Sequence, residues 1–168
     1  GMAVSGDLTV TGCTITAFDN AINVSSGGSL TVKNSKLKTT GKGYYTVQSS
    51  SAEKVTLENC IVSYEGSASY HNTLNLAAKN ITVKNSALTS GKDNYGTVRL
   101  KVTDAEGNAT LTGNTITNTS AQNNNAVDIA YDSLGAIILG SGNTVNGPVK
   151  LLGPSPAYSV VFAGGYFA

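Results

Sequence analysis

Five stretches of the chain open on a strict apolar, Thr, apolar, polar alternation and align with one another without a gap. They are Leu8-Thr-Val-Thr-Gly-Cys-Thr-Ile15, Leu30-Thr-Val-Lys-Asn-Ser-Lys-Leu37, Val55-Thr-Leu-Glu-Asn-Cys-Ile-Val62, Ile81-Thr-Val-Lys-Asn-Ser-Ala-Leu88 and Ala109-Thr-Leu-Thr-Gly-Asn-Thr-Ile116. A sixth, degenerate copy runs from Ile137 through Leu139 to Gly142-Asn-Thr-Val145. A period of two along each phrase is the signature of a half-buried strand, whereas amphipathic helices space their apolar residues by three and four. A unit this small cannot bury its own apolar face, so copies must stack on one another to become stable. The pattern therefore predicts an all-β solenoid of about six coils of 22–29 residues each.

The polar positions say where the chain bends. Between the two halves of every phrase stand Gly12, Asn34, Asn59, Asn85, Gly113 and Gly142. Glycine and asparagine are the residues that tolerate left-handed backbone angles, so a sharp corner is expected at each. The next residue is always small: Cys13, Ser35, Cys60, Ser86, Asn114 and Asn143. After a variable loop comes a third short strand with two apolar residues around one outward residue. These strands read Ile22-Asn-Val24, Tyr45-Thr-Val47, Leu74-Asn-Leu76, Val98-Arg-Leu100, Val127-Asp-Ile129 and Val149-Lys-Leu151. Parallel stacking predicts three outward columns: a threonine ladder (Thr9, Thr31, Thr56, Thr82, Thr110), a charge column Lys33–Glu58–Lys84 and a charge column Arg99–Asp128–Lys150. Opposite signs on adjacent coils fix register, because a slip of two residues would break them while leaving the in/out pattern intact.

Composition narrows the class. Thr, Ser, Asn and Gly dominate, charged residues make up 12% and the formal net charge is +1. Nothing here provides the basic footprint that nucleic acid requires, and no apolar run approaches the ~20 residues of a membrane span. Such a chain reads as an extracellular or cell-surface bacterial scaffold, part of a longer chain, whose export signal is expected to have been removed or to lie on the longer parent. Residues 1–7 read as an entry segment with Gly1 as a tag remnant, 8–152 as the solenoid, and 153–168 as a tail that caps the stack or opens another module. Cys13 and Cys60 occupy the same repeat position two coils apart, roughly 10 Å at ~4.8 Å per coil, too far for a disulfide. Both are expected to be small buried fillers, and they are too few for a metal site.

The Gly113-Asn-Thr-Ile116 and Gly142-Asn-Thr-Val145 phrases, with the apolar strand before them, resemble the right-handed single-stranded parallel β-helix repeats of the pectin-lyase-like superfamily. The resemblance covers about residues 8–152. It implies that fold strongly and a function weakly, since the superfamily includes lyases, hydrolases, tailspikes and adhesin stalks. The segment Val160-Val-Phe-Ala-Gly-Gly-Tyr-Phe167 is similar to a motif in large surface proteins of gut bacteria.

Enzymes of that superfamily stack carboxylates on adjacent coils to hold calcium or to pair an acid with a base. Asp93, Asp104, Glu106, Asp128 and Asp132 do not fall at equal positions of neighbouring coils, so no catalytic residue, metal site or cofactor is assigned. Arg99 beside Asp128 reads as a ladder ion pair, and His71 as a loop residue. The candidate binding residues are aromatic and polar instead. Tyr44, Tyr70 and Tyr95 precede the third strand in three consecutive coils, with Tyr64, His71 and Asn94 nearby and Tyr45 turned inward. Tyrosine rings offer a flat apolar face with a hydroxyl, a platform for a glycan or a cell-surface protein. The expected function is a non-catalytic, adhesin-like stalk or glycan-binding module, the alternative being a polysaccharide lyase or glycoside hydrolase of the β-helix type.

Overall fold

A computed structural model describes residues 1–68, 70–91, 95–120, 125–153 and 158–167. Among these residues all regular structure is β, and every strand pairs parallel to its neighbours, as a chain wound into stacked coils requires. Each coil contributes one strand to each of three columns. The first column holds Met2–Val4, Ile22–Val24, the start of Tyr45–Glu58, the start of Asn72–Lys84, Val98–Val102, Val127–Ile129 and Val149–Leu151. The second holds Leu8–Thr11, Ser29–Lys33, the ends of the same two long strands, Asn108–Thr112, Ala136–Leu139 and Ser159–Phe162. The third holds Thr14–Ala17, Lys36–Thr39, Ile61–Tyr64, Ala87–Ser90, Thr115–Asn118, Thr144–Asn146 and Tyr166–Phe167. The fold is a parallel β-solenoid of about six turns. Met2–Val4 pairs with Ile22–Val24, and Ser159–Phe162 pairs with Ala136–Leu139, so both flanking segments add strands to the stack.

The alternation read from the sequence sets the core. Leu30, Val32, Val55, Leu57, Ile81, Val83, Ala109, Leu111, Ile137 and Leu139 are fully buried in the second column, as are Leu37, Val62, Leu88, Ile116 and Val145 in the third. One apolar column runs along the axis, and each inward side chain packs on the equivalent residue one coil away. Outside, the threonine ladder is in register from Thr9 to Thr110. Lys33, Glu58 and Lys84 also align, and Glu58 takes Lys33 at 3.2 Å and Lys84 at 3.9 Å.

The corner between the second and third columns follows the sequence closely. Asn34, Asn59 and Asn85 have φ of 50°, 54° and 49°, and Gly12, Gly113 and Gly142 have φ of 66°, 66° and 74°. Asn59 Nδ2 donates to Asn34 Oδ1 at 3.2 Å, so the asparagines also bond along the stack. The small residue that follows forms an inner ladder. Ser35 and Ser86 donate their hydroxyls to Lys33 O and Lys84 O, and accept the N–H of Cys13 and of Cys60. Asn114 and Asn143 extend the scheme, their Oδ1 atoms accepting Ser86 N–H and Asn114 N–H. Every buried polar group so engaged avoids the penalty of an orphan donor or acceptor.

Two expectations change. Cys60 is buried, its thiol donating to Glu58 O at 3.2 Å, but Cys13 is exposed because it occupies the first coil of this corner column, with cover on one side only. In the second coil, Ile22 pairs with Val47 and Val24 with Ser49, so the inward pair is Val47 and Ser49, with Gln48 outward. The sequence favours Tyr45 and Val47 as the apolar pair. The structure instead puts a serine inside, whose hydroxyl donates to Ala77 O and accepts Ala77 N–H, both at 3.1 Å, and leaves Tyr45 half-buried in the corner.

Candidate functional site: an aromatic corner

The corner between the third and first columns is the variable one. Between the strands it occupies residues 18–21 in the first coil and 40–44 in the second, with longer excursions after Tyr64, Ser90 and Asn118. Tyr44, Tyr70 and Tyr95 stand on it and are 56%, 61% and 45% exposed. Tyr70 and Tyr95 approach to 5.7 Å between ring centroids at an interplanar angle of 39°. Tyr44 and Tyr70 flank a depression of about 400 Å³ that is also lined by Lys42, Ser67 and Ala68. The three tyrosines singled out from the sequence thus gather on one surface.

Tyr64 and His71 belong to the layer beneath. Among the described residues Tyr64 is the largest fully buried side chain, and His71 has no exposed surface. Their rings stack at 3.9 Å and 13°. Both were candidates for the surface platform, and the structure corrects that: they close the core under it. Tyr64 ends the Ile61–Tyr64 strand in an inward position of the alternation, and His71 enters beside it just before Asn72. Tyr64 Oη donates to Gly43 O at 2.8 Å and accepts Ala68 N–H at 3.1 Å, joining two successive corners. His71 Nδ1 lies 3.1 Å from Ala68 O and Nε2 lies 3.0 Å from Ser90 Oγ. A carbonyl can only accept, so Nδ1 carries a proton toward Ala68 O. Burial raises the Tyr64 phenol above its ordinary range, which keeps it a neutral donor. Gly66 lies against this ring: a Cβ there would stand 2.6 Å from Tyr64 Oη.

The remaining corner residues are also held by the neighbouring coil. Tyr45 N–H donates to Asn20 Oδ1, Asn72 N–H to Tyr44 O, and Asn72 Nδ2 to Gly96 O. Asn118 Nδ2 donates to Tyr95 O at 3.2 Å and to Asn125 O at 2.9 Å. Asn94, the remaining candidate, and Asp93 lie outside the described residues. No signal of alternation could have found Asn20, Asn72 and Asn118 as supports, because each reaches the coil stacked beside it, Asn118 while also bonding within its own corner.

Several of the acids are engaged one by one. Asp104 pairs with Lys79 at 3.5 Å, Glu65 with Lys38 at 2.6 Å, and Asp132 with Lys101. The Lys101 hydrogen bond holds the Asp132 carboxyl below the usual carboxylate range. Arg99, Asp128 and Lys150 share a register column, yet Asp128 is buried and spends its carboxylate on the corner. It accepts Gly96 N–H at 2.7 Å and Asn125 Nδ2 at 3.0 Å. No Arg99–Asp128 ion pair occurs among the described residues, which corrects the surface ion pair expected from the sequence. The column is real, but Asp128 turns aside because two donors reach it in the corner. Among the described residues no group of three or more His, Cys, Asp or Glu side chains is placed to hold a metal ion.

No family model matches this chain, and no curated protein or solved structure matches it.

Proposed function

We propose that this solenoid is a non-catalytic, adhesin-like stalk and glycan-binding module of a bacterial surface or secreted protein, with the Tyr44, Tyr70 and Tyr95 corner as its binding surface. The observation that carries the reading is three exposed tyrosines from three consecutive coils on a corner whose backbone is held by buried side chains. Exposed aromatic rings on a rigid support suit stacking against the apolar face of a sugar, because little conformational freedom is lost on binding. Glu65, Asp104 and Asp132 sit in ion pairs and Asp128 in corner hydrogen bonds, which speaks against a glycan-cleaving pair drawn from these four, since such a pair must be free to meet substrate. The resemblance of the repeat phrases to those of the pectin-lyase-like β-helices supports this reading.

A glycan array, run with and without calcium and followed by product release from polyuronates, tests it. Wild-type protein binds glycans without cleaving them, and the triple variant Tyr44→Ala, Tyr70→Ala, Tyr95→Ala loses at least about tenfold in affinity while keeping its denaturation midpoint. Unchanged binding by the triple variant refutes the corner as the surface. Released product refutes the non-catalytic reading, and silence on the whole array refutes a glycan-binding module.

A further inference from the structure

We propose that Asn108 is the acceptor of an N-linked oligosaccharide attached by a bacterial oligosaccharide transferase, with Glu106 and Thr110 as the residues that mark it; of the proposed function this rests only on export from the cell. An asparagine followed two residues later by Ser or Thr is the acceptor pattern of that reaction. The sequence holds four such patterns: Asn23-Val-Ser25, Asn80-Ile-Thr82, Asn108-Ala-Thr110 and Asn118-Thr-Ser120. Bacterial transferases also read an acid two residues before the asparagine, a carboxylate that an enzyme cation grips through charge-assisted hydrogen bonds. Ala21, Ala78, Glu106 and Ile116 stand at that place, so a single pattern carries the acid. In the transfer, the Asn108 amide nitrogen bonds to the anomeric carbon of a lipid-diphosphate-linked oligosaccharide. The bond from that carbon to the diphosphate oxygen breaks, the amide gives up one proton, and the lipid diphosphate leaves.

The fold makes the same choice on independent grounds. Asn108 opens the strand Asn108–Thr112 and is exposed, whereas Asn23 and Asn80 are half-buried. Asn118 is buried and its amide donates to Tyr95 O and Asn125 O, so the folded coil has no room for a glycan there. Ala21, Ala78 and Ile116 belong to the core, but Glu106 stands exposed in a turn closed by Gly107 N–H on Asp104 O at 3.0 Å. Asp104 pairs with Lys79, while among the described residues Glu106 takes part in no ion pair and keeps its carboxylate for an enzyme's cation. Residues two apart on a strand share a face, and Thr110 Oγ1 donates toward Asn108 Oδ1 at 3.5 Å. Asn80 and Thr82 lie in register with Asn108 and Thr110 one coil earlier, an internal control that lacks the acid. The acceptor is the chain as it emerges from export, before Asn108 pairs with Asn80 and Ala136; folding then carries the glycan outward. Asn108 begins a second-column strand, at a different corner of the coil from Tyr44, Tyr70 and Tyr95, so a glycan there leaves the tyrosines open.

The test exports the full chain to the periplasm of a bacterial host through an added signal sequence, together with a bacterial oligosaccharide transferase and its lipid-linked donor, and reads intact mass and peptide maps. Wild type should gain one oligosaccharide, at Asn108, and the glycoprotein should keep the denaturation midpoint of the unmodified chain. Asn108→Gln should abolish the mass shift. Glu106→Gln should lower occupancy at least about tenfold, and Glu106→Asp, which keeps the charge, should retain it. An unmodified wild type, a glycan placed at Asn23, Asn80 or Asn118 instead, or occupancy unchanged in Glu106→Gln overturns the inference. Export is supplied in this experiment, so each of those results leaves the tyrosine corner standing, and failure of the corner shows separately as silence on the glycan array.

Discussion

Removing a single oxygen from Tyr64 should loosen the corner that carries the exposed tyrosines. Tyr64→Phe keeps the ring, its stack on His71 and the buried volume, and deletes only the hydroxyl that joins Gly43 O at 2.8 Å to Ala68 N–H at 3.1 Å. Gly43 is buried, so its carbonyl loses its donor with no water to replace it, whereas Ala68 is half-exposed and can recover a partner from solvent. One buried orphan group costs about 1–3 kcal/mol, and the second adds little. A loss of about 2 kcal/mol corresponds to a fall of roughly 4–8 °C in Tm for a chain of this length. The loss is local, since solenoid coils are coupled mainly to their neighbours. Hydrogen exchange should accordingly rise at Ala68 and the second and third corners and stay near wild type in the strands from Thr115 onward. A Tm within about 1 °C of wild type, or unchanged protection at Ala68, would refute the claim that this hydroxyl ties the two corners.

Asn59→Ala places a Cβ-bearing residue without a helpful side chain at φ 54° and removes the bond to Asn34, so it should cost about 1–2 kcal/mol in a denaturant titration, with Asn59→Gly costing less. Thiol titration of the native protein should modify Cys13 rapidly and Cys60 only on unfolding, since Cys60 is buried and burial pushes its thiol up. The folded pKa values of Cys60 and Tyr64 are both raised, chiefly by burial, so their contribution is complete below the unfolded values of about 8.5–10. It is lost as pH rises through the folded ones, and denaturation midpoints should fall on the alkaline side first through these two groups. Asp132 has the opposite sign: its lowered pKa gives stability that is present above the unfolded value near ~3.9 and lost as pH falls through the folded one. Lys101→Met should flatten that acid limb, by well under about 1 kcal/mol because both side chains are substantially exposed.

The corner residues mark where local pattern stops being informative. The bends at Asn34, Asn59 and Asn85 were legible because a left-handed backbone angle is a demand on one residue, and the residue types that meet it are few. The corners around Tyr44, Tyr70 and Tyr95 differ in length from coil to coil, so sequence distance there does not say which side chain lies over which. Tyr64 and His71 carry polar atoms that suggest a surface, yet Gly43 O of the preceding corner, Ala68 N–H of their own corner and Ser90 Oγ of the next coil engage those atoms and allow burial. Asp128 reads as a rung of a charge column until Gly96 N–H and Asn125 Nδ2 are seen to reach it.

By itself the sequence determined a stacked all-β solenoid, its bends and core faces, the threonine ladder and the Lys33–Glu58–Lys84 column, because alternation and bend chemistry are written along the strand. Only the tertiary structure decided that Ser49 rather than Tyr45 faces inward, that Cys13 is exposed while Cys60 is buried, and that Tyr64 and His71 stack beneath the exposed tyrosines. Those features depend on what the adjacent coil places within about 5 Å, the strand spacing of the stack, and no residue encodes its neighbour's corner length.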